Sequence, residues 1–254
     1  MISSTAIISD IHGNRWALEA VITDIQTRNI SRIVNLGDSL YGPLDPAGTA
    51  DLLISLDLPT IQGNEDRILL DKKADGKIHR SLDFTRSCLK TAHYTWLESI
   101  PEHRILNNSL YLCHGTPERD DEYLLLTVNE FGVTSRSEVS LRAMLSVVEP
   151  NIIACGHDHM PSICQVDRWL IINPGSVGCP AFTDQCPLPH SMETGLPCAR
   201  YAILEGAEPI WHIDQITVDY DWHCASQAAV KNGRPDWAHW LATGRKYSTN
   251  LTYT

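Results

Sequence analysis

The sequence predicts an α/β fold in which two packed sheets are flanked by helices. Three observations predict it. Through the first half, short β-branched runs alternate with stripes of helical period; each of those runs ends in polar residues; and the second half strings together strand-like runs with no helical stripe between them.

Taken in order, TAIISD (residues 5–10) is a first strand, and Leu18, Val21, Ile22 and Ile25 then fall at i, i+3, i+4 and i+7, the core face of a helix that Asn14 can cap. RIVNLGD is the second strand, Pro46 to Leu56 the second helix, and LPTIQGN the third strand. A polar helical segment is expected over about residues 65–100 near the mouth of the site, with Phe84, Tyr94 and Trp96 packing there or shaping a leaving-group pocket. SLYLCHG returns to strand, Leu141, Met144, Leu145 and Val148 make another helical stripe, and Pro150 ends it before the strand NIIACGHDH. SICQV, WLIINPGS, ARYAILE and IWHIDQITVDY read as consecutive strands, with a long loop expected over about 179–198. A single domain over residues 1–254 is expected, with Trp211 to Trp240 completing its core rather than a dimer surface.

Composition removes several classes of function. An apolar content of 43% with 20% charged residues excludes a disordered chain. The net charge of −11 repels polyanions, which argues against non-specific binding of nucleic acid or anionic membrane. Eight cysteines without a C-x-x-C pair point to reduced, mostly buried thiols. No apolar run reaches the length of a membrane span and the opening MISSTAIISDIHGN lacks a basic leader, so a cytoplasmic protein is expected, of open oligomeric state.

The chemistry sits at the C-terminal ends of the strands: Asp10 and His12, then Asp38, Asn64, His114, and last His157 and His159. In open α/β sheets this edge binds ligands. The donors are carboxylate, amide oxygen and imidazole without thiolate, a set that suits Mn, Fe or Zn in a catalytic pair of divalent metal ions better than a structural zinc cage. In DIH and HDH, i, i+2 spacing on an extended backbone puts both side chains on one side, so that each pair can address one metal. Gly37, Gly63, Gly115 and Gly156 adjoin these residues, where a missing Cβ permits close approach. The phosphate-loop signature is absent, and Ser9, Ser39 and Ser176 form no recognisable triad.

The ordered pieces DIHGN, LGDS, QGNED, CHGT and GHDH resemble the calcineurin-like metallophosphoesterase superfamily over roughly residues 5–205, and YGPLDP, HGTPERDDEYLL and INPGSVG are similar to its small bacterial phosphoesterases. The resemblance implies a four-layer α/β/β/α sandwich. It also implies that Asp10, His12 and His159 hold one metal, that Asn64, His114 and His157 hold the other, and that Asp38 bridges the two. Hydrolysis by a metal-bound hydroxide attacking phosphorus directly is then implied, with no protein nucleophile.

One position departs from the pattern. Many family members have a proton-donating histidine after the metal-binding asparagine, whereas this chain has Glu65, a carboxylate expected to be ionised beside cations and therefore a poor acid. This points to phosphodiesters, to leaving groups that depart unprotonated, or to a substitute acid among His93, His103 and His190. Asp66 is expected to orient a histidine ligand. Asn14, Arg119 and His190 are candidate substrate contacts. The partner expected is a phosphate-ester small molecule or a nucleotide, and a dinucleoside polyphosphate hydrolase and a phosphomonoesterase are the alternatives. A protein serine/threonine phosphatase is disfavoured because Leu36 and Gln62, rather than arginines, precede the motif glycines. From another class, a catalytically silent interaction scaffold is weighed, against which the filled ligand positions speak.

Overall fold

The computed structural model describes residues 3–71, 80–207 and 209–247. Strand β1 (Ser3–Ile8) leads into α1 (Arg15–Thr27), whose stripe Leu18, Val21, Ile22 and Ile25 is buried as its spacing requires. Asn14 caps α1 by accepting the Ala17 N–H, and β2 (Arg32–Asn35) and α2 (Pro46–Leu56) follow. The stretch expected as a third strand makes only a single parallel bridge, between Asn35 and Thr60. Between residues 64 and 99 lie α3 (Asn64–Leu70), α4 (Arg80–Cys88) and α5 (Thr91–Ser99); the remainder of the expected helical segment, residues 72–79, lies outside the described residues.

The chain continues through β3 (Arg104–Leu106), β4 (Leu110–Leu112), the hairpin β5 (Leu126–Asn129) and β6 (Gly132–Ser135), α6 (Glu138–Leu145), and β7 (Ile152–Ala154). After β8 (Ser162–Val166) and β9 (Trp169–Asn173), the stretch expected as a loop contains the antiparallel pair β10 (Ala181–Asp184) and β11 (His190–Glu193). Its prolines mask the strand pattern, and those at 180, 187 and 189 fall just outside the paired residues, where no ladder N–H is needed. Strands β12 (Ala199–Ala207) and β13 (Ile210–Val218) and the helices α7 (Trp222–Lys231) and α8 (Pro235–Thr243) complete the fold.

Two mixed sheets carry it, with strand orders β13-β12-β1-β2 and β3-β4-β7-β9-β8. Side-chain alternation along the strands separates the layers. Ile7, Val34, Leu112, Ile152 and Ile172 meet between the two sheets. Ala6 and Ile8 face the opposite way, onto Leu18, Val21 and Leu53 of α1 and α2. Tyr111, Ile153 and Ile171 face outward onto Leu141 and Leu145 of α6. The result is helices, sheet, sheet, helix, the α/β/β/α order that the resemblance implied. No helix among the described residues is long and apolar enough to cross a membrane.

Candidate metal centre

The loops that follow β1, β2, β4 and β7 meet at one edge of the paired sheets and are laced together by backbone hydrogen bonds. Asp10 N–H reaches Gly37 O at 3.0 Å, His12 N–H reaches Asp38 O at 2.9 Å, and Gly156 N–H reaches His114 O at 2.7 Å. From the INPGSVG loop, Gly178 N–H donates to Asp10 O at 3.0 Å and the Ser176 hydroxyl to the same carbonyl at 2.7 Å. This lacing holds Asp10, His12, Asp38, His157 and His159 at positive φ, between 50° and 70°. Asn, Asp and His enter that region more readily than other side chains do. The extended geometry expected for DIH and HDH is therefore not what aims these side chains. Left-handed turns aim them, and the two histidines of HDH point to different clusters.

One cluster is Asp10, His12 and His159, and the second is Asp38, His114 and His157. Asn64 joins the second, its Oδ1 lying 3.1 Å from His114 Nε2. The chemistry of both fits a cation. His12 Nε2 and His159 Nε2 face each other at 3.1 Å, while His114 Nε2 faces Asp38 Oδ2 at 3.2 Å. Three imidazoles donate Nδ1–H to main-chain carbonyls: His12 to Tyr41 at 3.1 Å, His114 to Leu36 at 2.8 Å and His159 to Cys179 at 2.8 Å. That fixes the tautomer that leaves each Nε2 lone pair free for a metal. Asp10 Oδ1 is buried without a hydrogen-bond partner, while Oδ2 accepts the His157 N–H. Paired nitrogens and an orphaned carboxylate oxygen converging on one point are what a cation satisfies.

Electrostatics tell the same story. Burial opposes charge on Asp10, but His159, His114 and His12 outweigh it and hold the carboxyl well below its ordinary range. Burial likewise works against charge on His12 and His114. Glu65, Asp38 and Asp10 nevertheless raise His12 to about 9, and Asp38 and Asp10 raise His114 to about 10. His157 goes the other way, lowered to about 4 by burial and by the neighbouring His114. The buried aspartates thus demand positive charge.

Glu65 stands in the first turn of α3 with Oε2 3.0 Å from His12 Nδ1, and its N–H donates to Asp38 Oδ1 at 2.8 Å. From the protein's own groups, burial together with Asp38 and Asp66 lifts its carboxyl to about 7, although His12 pulls it down. Positive charge at the cluster acts in the opposite direction. Asp66 does not orient a histidine. It accepts the N–H groups of Ser39 at 3.0 Å and Gly63 at 3.2 Å, and so braces the two loops that carry Asp38 and Asn64. Asp158, the middle residue of HDH, is also a brace, bonded to Asn173 Nδ2 and Met160 N–H, both at 2.8 Å.

The other candidates divide. Asn14 is fully buried, and beyond capping α1 its Nδ2 donates to Gly178 O and Tyr220 OH, so it binds the loops together instead of facing a ligand. Arg119 is exposed and engaged by Asp121 at 2.9 Å, on the rim of a neighbouring cavity. His190 donates Nδ1–H to Leu188 O and accepts from Tyr123 OH, both at 2.8 Å, which occupies its two nitrogens. His93 is buried against Asp51 at 2.8 Å, and His103 stacks on Tyr111; neither lines the cavity of the clusters. Nor do Phe84, Tyr94 or Trp96; α4 and α5 pack against the core instead.

Most of the walls come from residues that carry no motif signal. The cavity holds about 250 Å³, and its sides are Tyr123, Phe182, Arg234, Trp237 and Trp240. Trp237 stands edge-on to His12 with centroids 5.7 Å apart, Phe182 tilts against His159 at 4.6 Å, and Tyr123 packs on His157 at 4.8 Å. Tyr123 belongs to the EYLL segment, but α8 is far from every motif, and only the fold brings it here.

Comparison with known proteins finds relatives of the same fold. A protein of Methanocaldococcus jannaschii, itself named uncharacterized, is 27% identical over 263 residues, covering 92% of this chain and 95% of that one. A metallophosphoesterase from Sphaerobacter thermophilus superposes with a TM-score of 0.74 at 23% identity, over 95% of this chain and 100% of that one. A hypothetical protein from Pyrococcus horikoshii OT3 gives 0.74 at 17% identity, over 96% and 99%. The family model described as the calcineurin-like phosphoesterase superfamily domain matches residues 4–193, a span that contains every residue of both clusters. By that match, the chain belongs to the calcineurin-like phosphoesterase superfamily.

Proposed function

We propose that the protein is a dimetal phosphoester hydrolase that prefers phosphodiesters to phosphomonoesters. Asp10, His12 and His159 would hold one cation, Asn64, His114 and His157 the other, and Asp38 would reach both. A bound metal pair supplies Lewis-acid polarisation of the phosphoryl group and lowers the pKa of water. The chain's own contribution is to hold the imidazoles by their Nδ1–H bonds, to fix Asp38 through the Glu65 N–H, and to keep the site dry with Tyr123, Phe182 and Trp237.

The observation that carries the diester preference is the Glu65 carboxylate in the cavity wall. A monoester dianion brings one more negative charge to that wall than a diester monoanion does, and a carboxylate nearby selects against the extra charge. Among the described residues lining this cavity, Arg234 is the one lysine or arginine, and Asp236 already engages it at 2.7 Å. A carboxylate in place of a proton donor also favours leaving groups that need no proton.

Hydrolysis of bis-p-nitrophenyl phosphate against p-nitrophenyl phosphate, by metal-stripped protein reloaded with Mn²⁺, tests the proposal, because both esters release the same group. The expected result is metal-dependent turnover with the diester favoured, and a preference narrowed about tenfold in Glu65→Gln. Monoester preference would overturn the diester reading. Bound metal without turnover of either ester would favour the silent scaffold.

A further inference from the structure

A second cavity, of about 460 Å³, opens beside the first, and Asn64, Tyr123, His157 and Asp184 line both. Two hairpins outside the main sheets frame it: β5 contributes Leu126, Thr127 and Val128, and the turn after β10 contributes Cys186 and Pro187. The Tyr123 to His190 hydrogen bond ties one frame to the other. The volume lies within the range of about 300–1,000 Å³ usual for small-molecule sites.

Charge decides what this space can accept. Its two arginines are both engaged: Arg119 by Asp121 at 2.9 Å, and Arg136 by Glu122 at 3.0 Å and by the carbonyls of Leu124 and Tyr123 at 3.0 and 2.7 Å. With Asp184 the lining carries three carboxylates against two guanidinium groups. A further phosphate placed here would lose water and meet no unpaired cation among the described residues of the lining, which is costly. An uncharged ring gives up far less hydration and gains contact with Leu126, Val128 and Tyr123.

We infer that this cavity binds the second alcohol of a phosphodiester, the group a monoester lacks, and that this alcohol is uncharged, partly apolar and ring-bearing. The inference rests on the phosphodiester reading. It disfavours dinucleoside polyphosphates, whose second moiety carries further phosphate.

Two p-nitrophenyl esters test it, that of thymidine 5′-phosphate and the corresponding 5′-ester of thymidine 3′,5′-bisphosphate, which differ by one phosphate and release the same phenolate. The neutral-alcohol ester is expected to have the higher kcat/KM by about tenfold or more. Thr127→Trp, which fills the cavity, is expected to raise KM for that ester about tenfold and to leave p-nitrophenyl phosphate unchanged, which also reports that the variant folds. Asp121→Asn, which frees the Arg119 fork, is expected to narrow the gap between the two esters. An equal or inverted preference, or an unchanged KM in Thr127→Trp, overturns the inference. Calorimetric titration of both esters into metal-loaded protein runs alongside. Selective binding of the neutral-alcohol ester that Thr127→Trp abolishes supports the cavity assignment even where no ester is hydrolysed, a result that overturns only the phosphodiesterase reading. No binding of either ester overturns the inference.

Discussion

Asp10, His12, Asp38, His157 and His159 all hold positive φ, a conformation that costs roughly 1–2 kcal/mol for each non-glycine residue. The lacing of main-chain bonds around them sustains that strain, and close backbone approach is part of the lacing. A Cβ at Gly156 would lie 2.1 Å from Ser9 Oγ and 2.8 Å from Asp10 Oδ2, and one at Gly63 would lie 2.2 Å from Asp38 Oδ1. Gly156→Ala is therefore expected to displace Asp10 and to lower bound metal in elemental analysis while circular dichroism stays native; full metal content would show that the loop can absorb the methyl group. Glu65→His exchanges a charge in the cavity wall for a proton donor. It is expected to raise turnover of alkyl monoesters by about tenfold or more in a folded, metal-loaded variant. Unchanged turnover there would refute the role given to Glu65.

At the scale of elements, Asn14 shows how one side chain serves the fold at the edge of a site. Its amide caps α1 and bonds the loop at Gly178 and the hydroxyl of Tyr220, which joins the first helix to the C-terminal part of the chain. Asn14→Ala is expected to cost about 1–2 kcal/mol in denaturant unfolding, the upper range of a lost cap, with KM unchanged. A raised KM at unaltered stability would restore Asn14 as a substrate contact. The hairpins β5–β6 and β10–β11 were harder to foresee. Each pairs only with its own partner strand, and neither shows the regular buried alternation by which a strand is recognised.

For the whole molecule, the clustered charges link folding, pH and metal. His12 and His114, at about 9 and about 10 against an ordinary 6.5, hold protons in the folded protein that the unfolded chain releases sooner. Their contribution to stability is complete below pH 6.5 and is lost as pH rises through about 9 to about 10. Metal-stripped protein is thus expected to lose thermal stability across that interval. Metal-loaded protein is expected to lose less, because the cations replace those protons, and the displaced protons are measurable in buffers of different ionisation enthalpy. Equal Tm slopes for the two forms would show that the cluster does not take up metal.

The sequence by itself determined the local periods and the order of the polar strand ends. Helix α1 and its buried stripe, α2 with its bounds, and the residues that cluster between Asp10 and His159 were legible, because hydrophobic period and polar strand ends are written within a few residues of each other. Tertiary structure alone decided the rest. It turned the backbone left-handed at five of the candidate ligands, set Asp66 against two loops instead of a histidine, and brought Trp237 and Arg234 to the cavity. These arrangements depend on contacts between separate segments, 27 residues apart for Asp66 and Ser39 and far more for His12 and Trp237, and no local spacing encodes such a partner.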